Sequence, residues 1–303
     1  MILPERKIPD FIIVGAPKCG TTALDNFLSQ HPDIFMAKKE LHYFGSDLES
    51  RFRDLTLGNY LRYFETEKTY KLYGESSVWY LYTKNAAQEI YEYNPWAKII
   101  IMLRDPVKML PSLHAQLLYN GDETVKSFHR ALRKDMWRSQ AGQKLPSVNY
   151  TNRPTFFDAC RFYEPVKRFL DRFGKQQVLI LLNEDLQNNF EETFHKVLAF
   201  LEADVNFISK KERINTRRKI RSISLHHFSK ATPELYRRIF RITVPSQKLR
   251  HYLMKKVQDI NVTDAKIKTL DPATRALIAK RTRPDIEKLA ALINRDLSHW
   301  SRE

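Results

Sequence analysis

Cysteine is almost absent: 303 residues carry only Cys19 and Cys160. Neither sits in a CxxC pair or a Cys/His cluster of metal-ligand spacing, which excludes a disulfide framework and a structural zinc site. A reducing, cytoplasmic setting and a metal-free protein are the expectations. Long apolar runs are also lacking. Ile99 to Leu103 and Val178 to Leu182 are strand-sized, against the roughly 20 apolar residues of a membrane helix. The opening Met1 to Asp10 has no apolar stretch of the signal-peptide kind, so a chain neither exported nor anchored is expected. Glycine is scarce, at eight residues, and no internal repeat or low-complexity linker breaks the sequence.

What is present is enough apolar material, 43% of residues, for a sizeable core. The expectation is one domain over 1–303, with an α/β core over 1–205 and a basic, helical remainder over 206–303. Positive charge is in excess by 16, and Lys210 to Lys256 holds fifteen Lys or Arg against two Glu. Such a block is either a solvated face or a surface for a polyanionic partner.

Phe11-Ile-Ile-Val-Gly15 reads as a buried strand, and Thr21 to Ser29 as a helix stopped by His31-Pro32. The same grammar recurs. Lys98 to Leu103 meets Arg104-Asp105-Pro106, with Asp105 as N-cap and Pro106 as first helical residue of a helix to about Leu118. Val178 to Leu182 leads through a turn at Asn183 to Leu186 into a helix from Phe190 to Leu201. Tyr70 to Gly74 is a fourth strand, Asp271-Pro272 starts a helix, and Pro284 to Asn294 is a last amphipathic one. Strand signals fade beyond residue 205. Alternating strands and helices predict a P-loop-like three-layer α/β sandwich, with a central mainly parallel sheet flanked by helices and a helical C-terminal part. Ligands in such sheets lie beyond the carboxyl ends of the strands. That places the site in the loops at 15–22, 74–79, 104–112 and 183–186.

Gly15-Ala-Pro-Lys-Cys-Gly-Thr-Thr22 has the GxxxxG frame of a phosphate loop between a strand and a helix. Backbone N–H groups at the helix start, aided by its dipole, bind phosphate oxygens. A nucleotide triphosphatase needs a lysine directly after the second glycine, where this chain has Thr21. Its only loop lysine, Lys18, projects elsewhere, and no aspartate at a strand end completes a magnesium site.

Pro17-Lys18-Cys19-Gly20-Thr21-Thr22-Ala23-Leu24 resembles the 5′-phosphosulfate loop of sulfotransferases that use 3′-phosphoadenosine 5′-phosphosulfate (PAPS). The likeness is to bacterial enzymes and to the domains that modify heparan sulfate. Arg104-Asp-Pro-Val-Lys-Met-Leu-Pro-Ser112 resembles the family's second signature, which implies that Arg104 and Ser112 hold the 3′-phosphate. Asn183-Glu-Asp-Leu186 is similar to a segment following a strand in that family. Asn215 with Arg218, Arg221 and Ser222 resembles the basic loop that closes over the cofactor, and Arg283 to Glu287 with Arg295 to Trp300 resembles the ending of bacterial members.

The resemblance implies sulfuryl transfer from PAPS to a hydroxyl or amino acceptor, in line, with release of adenosine 3′,5′-bisphosphate (PAP) and no metal. PAPS carries about four negative charges, so a cationic pocket is required, and this accounts for part of the basic block. Lys18 would donate to the bridging oxygen, where charge develops. Lys38-Lys-Glu-Leu-His-Tyr-Phe44 resembles a segment whose glutamate is the proposed base, which nominates Glu40; His42 and His114 are the alternatives. Glu75 to Tyr80 resembles a segment in which relatives often carry a lysine after the glutamate; here Ser76 stands there. Trp79 and Tyr80 either pack in the core or line the acceptor or adenine site. A small-molecule or glycan acceptor is expected rather than nucleic acid. A nucleotide kinase of the same loop class and a non-enzymatic polyanion-binding module remain open as other readings.

Overall fold

The computed structural model describes residues 8–48, 55–143, 149, 151, 153–210, 218–220, 243–244, 246, 249–250, 256, 262–264 and 270–301. Two compact units are distinguished, one of 1–110, 156–214 and 272–303, the other of 111–155 and 215–271. The single domain expected over 1–303 remains an expectation.

In the first unit the chain runs β1 (Phe11–Gly15), α1 (Thr21–Ser29), β2 (Ile34–Met36), α2 (Leu57–Arg62), β3 (Leu72–Ser76), α3 (Ala86–Tyr93) and β4 (Lys98–Leu103). The helix α4 (Pro106–Asn120) and α5 (Phe128–Gln140) follow, then α6 (Tyr163–Phe173), β5 (Val178–Leu182), α7 (Asn183–Asn188) and α8 (Phe190–Leu201). Beyond them come β6 (Arg218–Ile220), β7 (Val262–Asp264) and α9 (Pro272–Ile293).

Five strands form one sheet in the order β2-β3-β1-β4-β5, every pairing parallel. All five residues of β1 are buried, and β4 is buried from Ile99 to Leu103. Helices flank the sheet, so these strands read as unbroken apolar runs instead of alternating ones. Phe27 of α1 packs on Phe190 and Phe194 of α8 at centroid distances of 4.7 and 6.2 Å. A second helical group packs α6 against α3 and α9. Asp285 of α9 accepts the Phe162 amide at 2.7 Å and the Tyr163 amide at 3.3 Å, capping α6, whose own N-cap residue supplies no side-chain bond. From β1 the chain departs to β2 and β3 on one side, and β4 and β5 lie on the other. The topological switch point is therefore the carboxyl end of β1.

Several elements differ from the sequence expectation. The fourth strand is shifted to Leu72–Ser76, because its backbone pairs with β1 from Gly74 to Ser76. Ile34–Met36 is a fifth strand, too short to stand out as a run. Asn183 to Leu186 is not a turn but the start of α7: Glu184 and Asp185 in its first turn complement the helix dipole. Asn183 Oδ1 also accepts Gln187 Nε2 one turn on, at 2.8 Å. Pro284 does not open a helix; it lies inside α9. Ile278 and Ala279 before it and Ile286 and Leu289 after it are all buried, which offsets the roughly 3 kcal/mol of an internal proline.

The second unit holds α4 from Pro111 on, α5 and an antiparallel pair of β6 with β7, so strands do occur beyond residue 205. Ser127 caps α5 by accepting the Arg130 amide at 3.4 Å. Arg153 is buried between Glu123 at 3.1 Å and Asp135 at 2.9 Å.

Candidate active site

The switch point is occupied by the loop from Gly15 to Thr22. Gly15 is required by close approach: a Cβ there would lie 2.5 Å from the Val78 carbonyl oxygen, and its φ is 146°. Gly20, the N-cap of α1, has φ 98° and provides no side-chain cap. The first helical bonds are from the Ala23 and Leu24 amides to the Gly20 carbonyl, at 2.9 and 3.1 Å. The Thr21 and Thr22 amides precede them at the positive end of the helix, the arrangement that receives an anion. Lys18 also adopts a left-handed backbone, φ 62°.

Two neighbouring strand ends hold the loop. Arg104, just after β4, donates from Nη1 to the Lys18 carbonyl at 3.0 Å. Asn183, just after β5, donates from Nδ2 to the Cys19 carbonyl at 3.0 Å. A Cβ on Gly20 would come within 2.5 Å of that same Nδ2. Asp105 caps α4 as expected, its Oδ1 accepting the Val107 amide at 2.8 Å. The Cys19 thiol is buried and its pKa is pushed up by burial, which leaves it a packing residue without thiolate character.

Beyond β2 the chain turns through Lys39, Glu40 and His42, and the latter two have positive φ, 63° and 50°. The Glu40 amide donates to the Ser76 carbonyl at 2.9 Å. Its Oε2 lies 3.0 Å from His42 Nε2 and accepts the Val78 amide at 3.2 Å. Burial raises the Glu40 pKa, but the His42 hydrogen bond and charge, Lys39 and the Val78 amide outweigh it, so the carboxyl sits below its ordinary value. The side chain is still 37% accessible, so solvent or an acceptor can reach it. Lys39 Nζ donates to Thr21 Oγ1 at 3.3 Å and to Ser76 Oγ at 2.6 Å. Lys38 instead stands over the Tyr63 ring, 5.8 Å from its centroid. Asp25 of α1 faces this group; burial lifts its carboxyl to about 6 against the pull of Lys39, and Glu40 adds to the rise.

A buried carboxylate beneath holds the turn in place. Glu75 is fully buried and accepts the hydroxyls of Tyr60, Ser77 and Tyr80, each at 2.7 Å. Those hydroxyls then face the turn: Tyr80 accepts the Tyr43 amide at 2.8 Å and Ser77 accepts the His42 amide at 3.1 Å. Tyr80 and Trp79 are therefore core residues, 0% and 7% exposed. His42 also lines a cavity of about 480 Å³ together with Tyr43, Phe44, Leu55, Glu89, Glu92 and Tyr93.

In the first unit the structure joins Arg104 to the Lys18 carbonyl, Thr21 to Lys39 and Glu40 to His42. Ser112 and His114 belong to the second unit, where both are buried. His114 Nε2 meets the Val125 carbonyl at 2.8 Å and its ring packs on Phe128, and burial lowers its pKa. Arg218 opens β6; Asn215, Arg221 and Ser222 lie outside the described residues. Sequence reasoning missed the roles of Asn183, Tyr60 and Lys39, since a single amide, a core tyrosine and one lysine of a pair carry no pattern of their own. The two carboxylates of the Asn183 to Leu186 segment dock the C-terminus: Glu184 accepts the Trp300 indole N–H at 2.6 Å, and Asp185 pairs with Arg295 at 3.1 Å.

A parallel sheet with a phosphate-type loop at its switch point and a carboxylate beside it is suited to holding a phosphate ester next to a proton acceptor. The Thr21 and Thr22 amides at the start of α1 offer donors suited to a phosphate ester. Among the described residues no cluster of three or more metal-binding side chains occurs, and no helix is long and apolar enough to cross a membrane. The profile of the sulfotransferase domain matches residues 8–260, and the chain belongs to that family, whose members generally transfer sulfate from PAPS. It is 28% identical over 272 residues to carbohydrate sulfotransferase 15 of Rattus norvegicus, covering 70% of this chain and 48% of that protein. To heparan sulfate glucosamine 3-O-sulfotransferase 5 of Mus musculus it is 27% identical over 166 residues, 54% of this chain and 47% of that one. The chain thus spans about half the length of these curated relatives. A crystal structure of a sulfotransferase from Alicyclobacillus acidocaldarius superposes with a TM-score of 0.69 at 28% identity, over 98% of this chain and 100% of that one.

Proposed function

We propose that this chain transfers the sulfuryl group of PAPS to a hydroxyl or amino acceptor with Glu40 as base and Lys18 as the donor to the leaving oxygen. The observation that carries the reading is the juxtaposition, through Lys39, of the phosphate loop at Thr21 with the carboxylate of Glu40. When bound, PAPS supplies a sulfuryl group already activated by its phosphate ester. The α1 amides and the Thr21 and Thr22 hydroxyls would hold the 5′-phosphate, and Lys18 would compensate charge developing on the leaving oxygen. Glu40, kept ionised by His42 and the Val78 amide, takes the acceptor proton onto a carboxylate oxygen. His42 orients Glu40, and Glu75 orients the turn that carries both.

The acceptor enters through the cavity beside His42. The two relatives named above have glycan-directed names, which supports a sugar hydroxyl. Residence in a reducing compartment is part of the same reading, supported by two buried free thiols. The roles of Ser112, Arg218, Arg221 and Ser222 at the 3′-phosphate, and a preference for such acceptors over nucleic acid, belong to it as well. Titration with PAP, and with ATP plus magnesium, tests the proposal. Magnesium-independent PAP binding is expected, and a preference for magnesium-ATP would reject it in favour of a kinase.

A further inference from the structure

Lys39 stands in an unusual position for a partly buried cation. Its ammonium has three N–H donors, and two are taken by neutral hydroxyls, Thr21 Oγ1 and Ser76 Oγ. No carboxylate lies within ion-pair distance of it among the described residues; Asp25 and Glu40 act on it only at longer range. Its charge is therefore not cancelled by a direct partner. Thr21 is the first residue of the phosphate-binding helix, and Ser76 ends β3, with its carbonyl holding the Glu40 amide at 2.9 Å. The amine thus bridges the start of the phosphate-binding helix at Thr21 and the end of β3 at Ser76, the residue whose carbonyl holds the Glu40 backbone.

We propose that Lys39 is a second catalytic cation of this site, donating to the oxygens of the transferred sulfuryl group, while Lys18 serves the bridging oxygen. The inference rests on the PAPS reading above. It accounts for the hydroxyl partners: they hold the amine in place without neutralising it. Burial lowers the ammonium's pKa, and Glu40 and Asp25 offset that only in part.

PAP lacks the sulfuryl group that PAPS carries, so comparing their affinities isolates this contact. Both nucleotides are titrated calorimetrically into the full chain and into Lys39→Met and Lys39→Arg, with thermal unfolding checked for each. The expected result for Lys39→Met is a loss of PAPS affinity about tenfold greater than any loss of PAP affinity, and recovery of most of that difference in Lys39→Arg. Slow hydrolysis of bound PAPS to PAP and sulfate, in which water is the acceptor, should fall about a hundredfold in Lys39→Met. Equal losses for PAP and PAPS would make Lys39 a loop anchor and overturn the proposal, as would unchanged affinities for both. If a methionine variant unfolds, the arginine variant decides: a PAPS-specific change supports the role, and none refutes it. Failure of the unmodified protein to bind either nucleotide would instead remove the underlying PAPS reading.

Discussion

Gly20→Ala should disrupt the phosphate loop through one identifiable neighbour. A Cβ on residue 20 would lie 2.5 Å from Asn183 Nδ2 and 3.3 Å from Met102 Cε, and the backbone there has φ 98°. Holding an L-residue in that region costs about 1–2 kcal/mol. Pushing the Asn183 amide off the Cys19 carbonyl costs about 1–2 kcal/mol more, since a buried acceptor is left unpaired. A loss of about 3 kcal/mol is expected for Gly20→Ala and about 1–2 kcal/mol for Asn183→Ala. In the double variant the clash and the lost bond are the same event, so the loss should stay near 3 kcal/mol, a coupling of about 1–2 kcal/mol. Urea unfolding followed by tryptophan fluorescence measures all three, with PAP titration alongside. Additivity within about 0.5 kcal/mol would show that Asn183 does not brace the loop.

Three further outcomes follow from the site. Lys18→Ala should abolish turnover and weaken PAP binding only partly; normal turnover would remove this lysine from the chemistry. Glu40→Gln should lower kcat by about 10²–10⁴-fold with unchanged unfolding. Because the Glu40 pKa is depressed, the rate should hold from neutral pH down through the ordinary carboxylate range and fall only below it. An acid limb near the histidine value of about 6.5 would move the base to a histidine. Asp25 has the opposite sign: its folded pKa is raised to about 6 from 3.8. The folded state then binds the extra proton between those values, so stability falls as pH rises from about 4 to about 6. Asp25→Asn should flatten that segment of the stability profile; an unchanged slope would refute the environment described for Asp25.

The strand, loop and helix at 11–29 were legible because they follow one another in the chain. Gly15 and Gly20 mark the close approach and the helix start that the loop requires, and the apolar runs of β1, β4 and β5 fix the sheet. Glu40 was legible only through resemblance. Its support comes from Glu75, Tyr60 and Tyr80, which meet through tertiary hydrogen bonds that no spacing encodes. The Asn183 segment was read as a turn because asparagine beside acidic residues is ambiguous between a turn and a helix start. Its bond to Cys19, distant in sequence, explains the residue's identity. Pro284 misled for a similar reason: burial on both sides of it overrode a local breaker. Lys39 looked equivalent to Lys38 until the fold sent one to Thr21 and the other to Tyr63.

A crystal structure of the PAP complex would test the central claim most directly. The account predicts the 5′-phosphate seated on the Thr21 and Thr22 amides, with the Lys18 amine within hydrogen-bonding reach of its oxygens. A Lys18 amine turned to bulk solvent, or a nucleotide bound away from the carboxyl end of β1, would contradict it.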